Sequence, residues 1–177
     1  MTRWEPVTAD SNMPLDQLFR QPDPLLDFIA ENEGFRSTVY KDTKGLNTVG
    51  YGFNLTDPSV SALISSDVTE GRREMGRLEA EGVLQKRAAQ ATQDAKIFLG
   101  GDVAFNKLSE NQKIGVVDMS FNMGLTRLRK FKKLRAALIK GDKVEAAKEV
   151  LDSKYARKDV PNRALKNATL ILDEGGK

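Results

Sequence analysis

The sequence predicts an α+β fold, in which a small β-sheet stands beside a larger helical part. Residues typical of strands cluster between positions 37 and 52, and later segments are rich in residues that form, begin or end helices. The run from Leu78 to Leu99, closed by Gly100-Gly101, predicts a helix of about 30 Å that connects two lobes. Because strands and helices are segregated along the chain, the α+β class is favoured.

Early in the chain, a helix followed by a β-hairpin is predicted. Asp23 is a good N-cap, Pro24 fits the first helical position, and Gly34 is a natural helix stop. Two segments that contain β-branched residues, 37–40 and 48–52, then flank a short turn. This pattern is typical of two antiparallel strands joined by a tight turn.

The segments that follow carry helix signals at their ends. Asp57-Pro58 and Asp142 fit N-terminal caps, and Ser109 with Gln112 fits a capping box. Besides the long helix, these signals predict four helices. One begins near Ser109, and the other three span Leu125 to Lys140, Asp142 to Leu151 and Pro161 to Leu172.

The domain organisation follows from these elements. Residues 1–22 are predicted to form a polar N-terminal leader, which contains the single tryptophan, and residues 23–177 form one two-lobed domain. The small lobe is expected at about 35–78, and the helical lobe at about 79–172 together with the first helix. A cleft between two lobes is a common site for an extended ligand.

The composition excludes several kinds of chemistry. Among 177 residues there is no cysteine and no histidine. The chain therefore has no disulfide, thiol nucleophile, Ser-His-Asp triad or imidazole metal ligand. Acid–base chemistry has to depend on carboxylates, lysine or tyrosine. We expect no metal ion and no cofactor.

Three polar residues occupy positions of chemical interest. Glu33 ends the first predicted helix, where the helix dipole disfavours a negative charge and so favours the protonated form that a general acid needs. Asp42 follows the first predicted strand and Thr48 lies on the second, so the hairpin brings them close enough to hold a water. An acid facing a carboxylate that holds water suits glycoside hydrolysis. The same residues also fit a solvated helix end and an ordinary turn, so the spacing alone leaves both interpretations open.

These residues resemble the active-site segment of the T-even phage lysozyme family, glycoside hydrolase family 24. The spacing from Glu33 to Asp42 and Thr48 is that of the family's catalytic residues, and the flanking residues match as well. The matching segments are Glu33-Gly34, Val39 to Thr43, Gly45, Thr48 to Gly52, Phe121 to Gly124, Glu145 to Ala147 and Pro161 to Arg163. They run in order from about Pro24 to Leu172, so the resemblance covers most of the chain and implies a lysozyme-like fold.

The resemblance implies a role for each matching residue. Glu33 would protonate the leaving glycosidic oxygen, and Asp42, helped by Thr48, would hold the attacking water. Phe121 and Asn122 would contact the sugar chain.

Two further positions relate the sequence to the family pattern. Arg163 matches an arginine of the substrate-binding region that pairs with the catalytic glutamate. Phe53 departs from the pattern, since the family often has a histidine there, so a histidine–carboxylate pair cannot form.

The resemblance implies a muramidase that acts on peptidoglycan for host lysis or wall penetration by a phage. We expect a monomer without a nucleic-acid partner. The net charge of +3 and the basic segment 127–140, which is amphipathic, suit contact with an anionic wall or membrane. Without a recognisable signal peptide or transmembrane segment, the chain is expected in the host cytoplasm before release to the wall, or in the virion. The alternatives are a basic wall- or nucleic-acid-binding module on the same scaffold, and a lytic transglycosylase.

Overall fold

The computed structural model describes residues 21–173, and the predicted leader lies almost entirely outside them. Three strands and nine α-helices follow one another in this part of the chain. They are α1 (Pro24–Glu33), β1 (Arg36–Lys41), β2 (Asn47–Gly50), β3 (Phe53–Asn54), α2 (Pro58–Ser61), α3 (Ser66–Thr69), α4 (Arg77–Leu99), α5 (Asp102–Asn106), α6 (Glu110–Leu128), α7 (Lys132–Lys140), α8 (Lys143–Leu151) and, after a π-helical turn (Tyr155–Asp159), α9 (Pro161–Leu172). The predicted α+β class is confirmed.

Helix α1 begins and ends where the sequence predicts. The Oδ1 of Asp23 accepts a hydrogen bond from the Leu26 amide at 3.1 Å, and Pro24 opens the helix. Gly34 ends it with a φ of +68°, a backbone conformation that glycine adopts without a steric penalty. Glu33 is consequently the last helical residue.

The sheet is antiparallel, with the strands in the order β1-β2-β3. Thr48 on β2 lies opposite Tyr40 on β1 and opposite Asn54 on β3. The predicted hairpin is therefore confirmed. The short third strand was not predicted, because two residues are too few to produce an alternating pattern.

The buried side chains form two clusters. One joins α1, the sheet and the first half of α4, and includes Ile29, Val49 and Phe53. The other joins the second half of α4 with the later helices, and includes Met119 and Leu134. Leu25 and Phe121 pack against both clusters, and α4 runs through both.

The helix predicted from Leu125 to Lys140 is wrong in its continuity. Gly124, with a φ of +76° and a ψ of 162°, interrupts α6 just before the predicted start at Leu125, but the helix then continues only as far as Leu128. A new helix, α7, begins at Lys132 after the non-helical Phe131. The apolar spacing of this segment is real, since Leu128, Leu134 and Leu138 are buried, but it extends over two helices.

Within residues 21–173, none of the helices combines the length and the apolar character that a membrane span requires.

Candidate active site

Glu33 is held by a buried ion-pair network that joins three helices. The Nη1 of Arg163, on α9, donates to Glu33 Oε1 at 2.6 Å. The same guanidinium donates through Nε and Nη2 to the two carboxylate oxygens of Asp118 on α6, at 2.9 and 2.7 Å. The Asp118 side chain is fully buried, whereas 18% of the Glu33 side chain is exposed. Glu33 is thus the solvent-facing end of the network.

The network fixes the charge state of its central residue. Burial alone would lower the pKa of Arg163, but the hydrogen bonds and charges of Asp118 and Glu33 outweigh it and raise the pKa above its ordinary value. The guanidinium is therefore always charged, and its planar fork is occupied on one side by Asp118.

Gly52 contacts the other side of the Glu33 carboxylate. A β-carbon at this position would lie 2.7 Å from Glu33 Oε2, and the φ of Gly52 is +70°. Glycine is required here for two reasons, the backbone conformation and the close approach. The Glu33 carboxylate is consequently confined between Gly52 and Arg163.

Asp42 and Thr48 are both tied to the backbone of Leu46. The Oδ1 of Asp42 accepts from the amides of Lys44 and Leu46, each at 2.8 Å. The Thr48 hydroxyl donates to the Leu46 carbonyl at 3.1 Å, and Thr48 is almost completely buried. The turn therefore fixes one oxygen of Asp42. Neither its other carboxylate oxygen nor the lone pairs of the Thr48 hydroxyl take part in a hydrogen bond within residues 21–173.

Phe121 and Asn122, the other predicted contact residues, differ in their surroundings. Phe121 is partly buried between the two cores, and the guanidinium carbon of Arg87 lies 4.8 Å from its ring centroid. Asn122 is exposed on α6. A cavity of about 360 Å³ lies beside Phe121 and is bounded by the start of α2, by α4 and by α6.

The sequence did not identify three residues of this region. Asp118 is a carboxylate between the apolar residues Val117 and Met119 of a predicted helix, and that position was a usable signal for a buried partner. For Gly52 and Arg87 no local signal existed. Their importance depends on contacts with Glu33 and Phe121 that only the packing of separate elements creates.

In the described part of the chain, no three or more acidic side chains come together in a way that could hold a metal ion.

Two cores linked by a long helix, with a glutamate at the end of a helix beside a three-stranded sheet, place the chain in the lysozyme-like class of folds. The family model of phage lysozyme matches residues 30–167, which is most of the chain. The chain belongs to the phage lysozyme family, as the sequence resemblance predicted.

Individual relatives agree with this assignment at low identity. The probable T4-type lysozyme 2 of Dictyostelium discoideum is 25% identical over 142 residues, which cover 74% of this chain and 84% of that protein. The probable T4-type lysozyme 1 of the same organism is 26% identical and covers 83% of this chain and 92% of its own length. The pre-baseplate central spike protein Gp5 of Enterobacteria phage T4 is 23% identical over 94% of this chain, which corresponds to 32% of that protein.

Proposed function

We propose that this protein is a muramidase that hydrolyses the β-1,4 bond between N-acetylmuramic acid and N-acetylglucosamine in bacterial peptidoglycan. Membership of the phage lysozyme family supports peptidoglycan as the substrate. The observation that carries the proposal is the position of Glu33, a confined carboxylate with partial solvent access at the end of α1.

Glu33 acts as the general acid in this proposal. When all three groups are ionised, the cluster of Glu33, Arg163 and Asp118 carries one net negative charge, and a proton on Glu33 removes it. Because Asp118 takes two of the three hydrogen bonds that Arg163 donates in the cluster, Glu33 receives only one. Glu33 then gives its proton to the leaving glycosidic oxygen as the bond to the anomeric carbon breaks. Arg163 is a positioning residue for Glu33.

Asp42 and Thr48 hold the attacking water. The two backbone amides on Oδ1 of Asp42 fix the orientation of its carboxylate, which leaves Oδ2 to accept a proton from the water. The Thr48 oxygen can accept a second hydrogen bond from the same water, since its own proton is donated to Leu46. The water oxygen bonds to the anomeric carbon from the face opposite the leaving group, which inverts its configuration.

Phe121 and Asn122 contact the sugar chain on the helical side of the cleft. Phe121 presents an apolar ring between the two cores, and Asn122 presents an exposed amide one residue further along α6. The protein acts as a monomer, in host lysis or in wall penetration by a phage, and it reaches the wall from the host cytoplasm or as part of a virion.

The decisive experiment compares Glu33→Gln with Glu31→Gln on purified Gram-negative walls, with turbidity as the measurement. Both variants replace a carboxylate by an amide on the same helix, but Glu31 is exposed and, within residues 21–173, pairs only with Lys166 at the surface. We expect a rate loss of at least about a hundredfold for Glu33→Gln and little change for Glu31→Gln.

A Glu33→Gln variant that still cleaves walls would contradict the proposal, and a wild-type protein that binds walls without cleaving them would indicate a binding module. Mass spectrometry of the released muropeptides separates the reaction types. Hydrolysis adds one water to each cleaved bond, whereas a lytic transglycosylase leaves an anhydro-sugar.

A further inference from the structure

Arg87 is a partly buried cation that forms no ion pair with a carboxylate of residues 21–173. It lies on α4, and its guanidinium carbon is 4.8 Å from the ring centroid of Phe121 and 6.0 Å from that of Phe53. Among residues 21–173, no ion pair and no side-chain hydrogen bond involves Arg87. The two rings therefore fix the position of the guanidinium while they leave its N–H donors free.

The environment of Arg87 favours an anionic ligand. Burial lowers the pKa of Arg87, and the more distant charges of Glu33 and Asp57 compensate for only part of this effect. An anionic ligand beside this partly buried guanidinium would supply the compensation that Glu33 and Asp57 give only in part.

Ser120 provides a second, independent observation in the same cavity. Only 2% of Ser120 is exposed, and its hydroxyl has no hydrogen-bond partner within the described residues. Buried hydroxyl groups in folded proteins are nearly always hydrogen-bonded. Both Ser120 and Arg87 line the cavity of about 360 Å³ beside Phe121. A buried hydroxyl without a partner, a guanidinium without an ion pair in the described residues and an aromatic ring therefore line the same cavity.

The charges around the cavity indicate which anion fits. Asp57 and Asp94 line it together with Lys86 and Arg87, so the lining is not strongly positive. Asp57 is already bound to the amide and hydroxyl of Ser59, and Asp94 accepts from Gln90. A doubly charged phosphate would be repelled by these two carboxylates. A single carboxylate suits the planar fork of one arginine and one hydroxyl donor.

We propose that Arg87 and Ser120 form a subsite that binds a carboxylate on the peptide of the peptidoglycan substrate. This inference rests on the proposed function, and it names the part of the substrate that the cavity beside Phe121 recognises. Arg87 is then a specificity-determining binding residue. It favours glycan strands that carry peptide carboxylates over neutral strands.

The test uses two substrates, native glycan strands with their peptides and the same strands with the carboxylates converted to amides. Arg87→Gln and Ser120→Ala are compared with Arg77→Gln. Arg77 is a matched control, because it lies on the same helix and its guanidinium carbon is 4.6 Å from the ring centroid of Phe35, but it does not line the cavity.

For the wild type, we expect amidation to raise KM about tenfold, the loss that corresponds to one charge-assisted hydrogen bond. Arg87→Gln should show a similarly raised KM on native strands, a nearly unchanged kcat, and no further change on amidated strands. Ser120→Ala should raise KM on native strands about threefold, and Arg77→Gln should behave like the wild type.

The ratio of the KM values on the two substrates decides the outcome. An effect of the Arg87 substitution on folding or on Glu33 would change the rates on both substrates equally. Equal losses on both substrates, or a wild type that does not distinguish them, would overturn the proposal. If the wild type cleaves neither substrate, the proposed function fails. Cosedimentation with the two kinds of strand then tests the carboxylate subsite on its own.

Discussion

At the scale of single residues, the geometry around Glu33 depends on a glycine as much as on charged groups. Gly52 lies so close to Glu33 Oε2 that any side chain would shift the carboxylate from its position. A carboxylate oxygen at the end of a flexible side chain can move aside with little cost in stability. The expected consequence is a loss of position, and hence of activity, rather than a loss of fold.

This expectation can be measured with Gly52→Ala and Gly71→Ala. Both glycines have a φ near +70°, at +70° and +73°, but a β-carbon at Gly71 would have no neighbour within 4 Å. Each variant should lose about 1 kcal/mol of unfolding free energy from backbone strain. Only Gly52→Ala should also lose wall-lysing activity, by about ten- to a hundredfold. Similar activities for the two variants would show that the contact with Glu33 has no catalytic effect.

The residues of the candidate site were predictable to different degrees. Glu33, Asp42 and Thr48 lie within one stretch of sixteen residues, so their spacing along the chain carries information about their arrangement. Arg163 was named only through the resemblance to a family. Arg87 and Gly52 could not be identified, since their neighbours come from other elements and no local pattern records that contact.

At the scale of elements, Arg163 joins α1, α6 and α9 through the two carboxylates that it binds. The close packing of α6 against α9 supports this junction, because a β-carbon at Gly115 would lie 3.1 Å from the Asn167 carbonyl oxygen. Removal of one partner from a buried ion pair leaves the other charge uncompensated, which costs about 3–5 kcal/mol.

Asp118→Asn tests this junction, with Lys166→Ala as the control. Lys166 also joins α9 to α1, through Glu31 at 3.3 Å, but its side chain is 44% exposed and that of Glu31 is 73% exposed. In urea unfolding, Asp118→Asn should lose about 3 kcal/mol, whereas Lys166→Ala should change stability by less than about 1 kcal/mol. Equal losses would mean that the buried network contributes no more than a surface pair.

The sequence predicted helix ends better than helix continuity. Caps such as Asp23, Ser109 and Asp142 are local hydrogen bonds, and the structure contains each of them. The break between Leu128 and Lys132 was not predicted, because the residues between them, Arg129 to Phe131, include neither a glycine nor a proline. Apolar residues keep a helical spacing on both sides of this break, so the spacing did not indicate it.

At the scale of the whole molecule, the two buried clusters explain why the site lies where α1 meets the sheet and α6. Helix α4 contributes to both clusters, and Phe121 packs against each of them. The sequence predicted two lobes and a long connecting helix. It could not predict the cavity beside Phe121, which depends on how the two clusters are placed on α4.

One groove on the described surface is lined mainly by basic side chains. A groove of about 540 Å³ lies between the start of α7, the end of α8 and the π-helical turn. Lys130, Lys132 and Lys154 line it, and none of them forms an ion pair or a side-chain hydrogen bond within residues 21–173. Arg127 and Lys133, which also line it, are paired with Asp159 and Glu149. The groove is therefore the surface on which we expect contact with an anionic wall.

Salt dependence tests this surface. The attraction between exposed charges and a wall polymer is screened as the Debye length falls from about 30 Å at 0.01 M salt to about 8 Å at 0.15 M. The wild-type rate on walls should therefore decrease over this range. Replacement of Lys130, Lys132 and Lys154 by glutamine should make the rate nearly independent of salt.

The matched control replaces Lys107, Lys140 and Lys148 by glutamine. These lysines also have no side-chain partner in the described part of the chain, but they lie outside the groove. Both triple variants lower the net charge from +3 to 0, since each removes three positive charges. If net charge alone attracts the protein to the wall, the two variants will lose their salt dependence equally. If the groove is the contact surface, the control will keep the salt dependence of the wild type, because the charges that approach the wall most closely are unchanged.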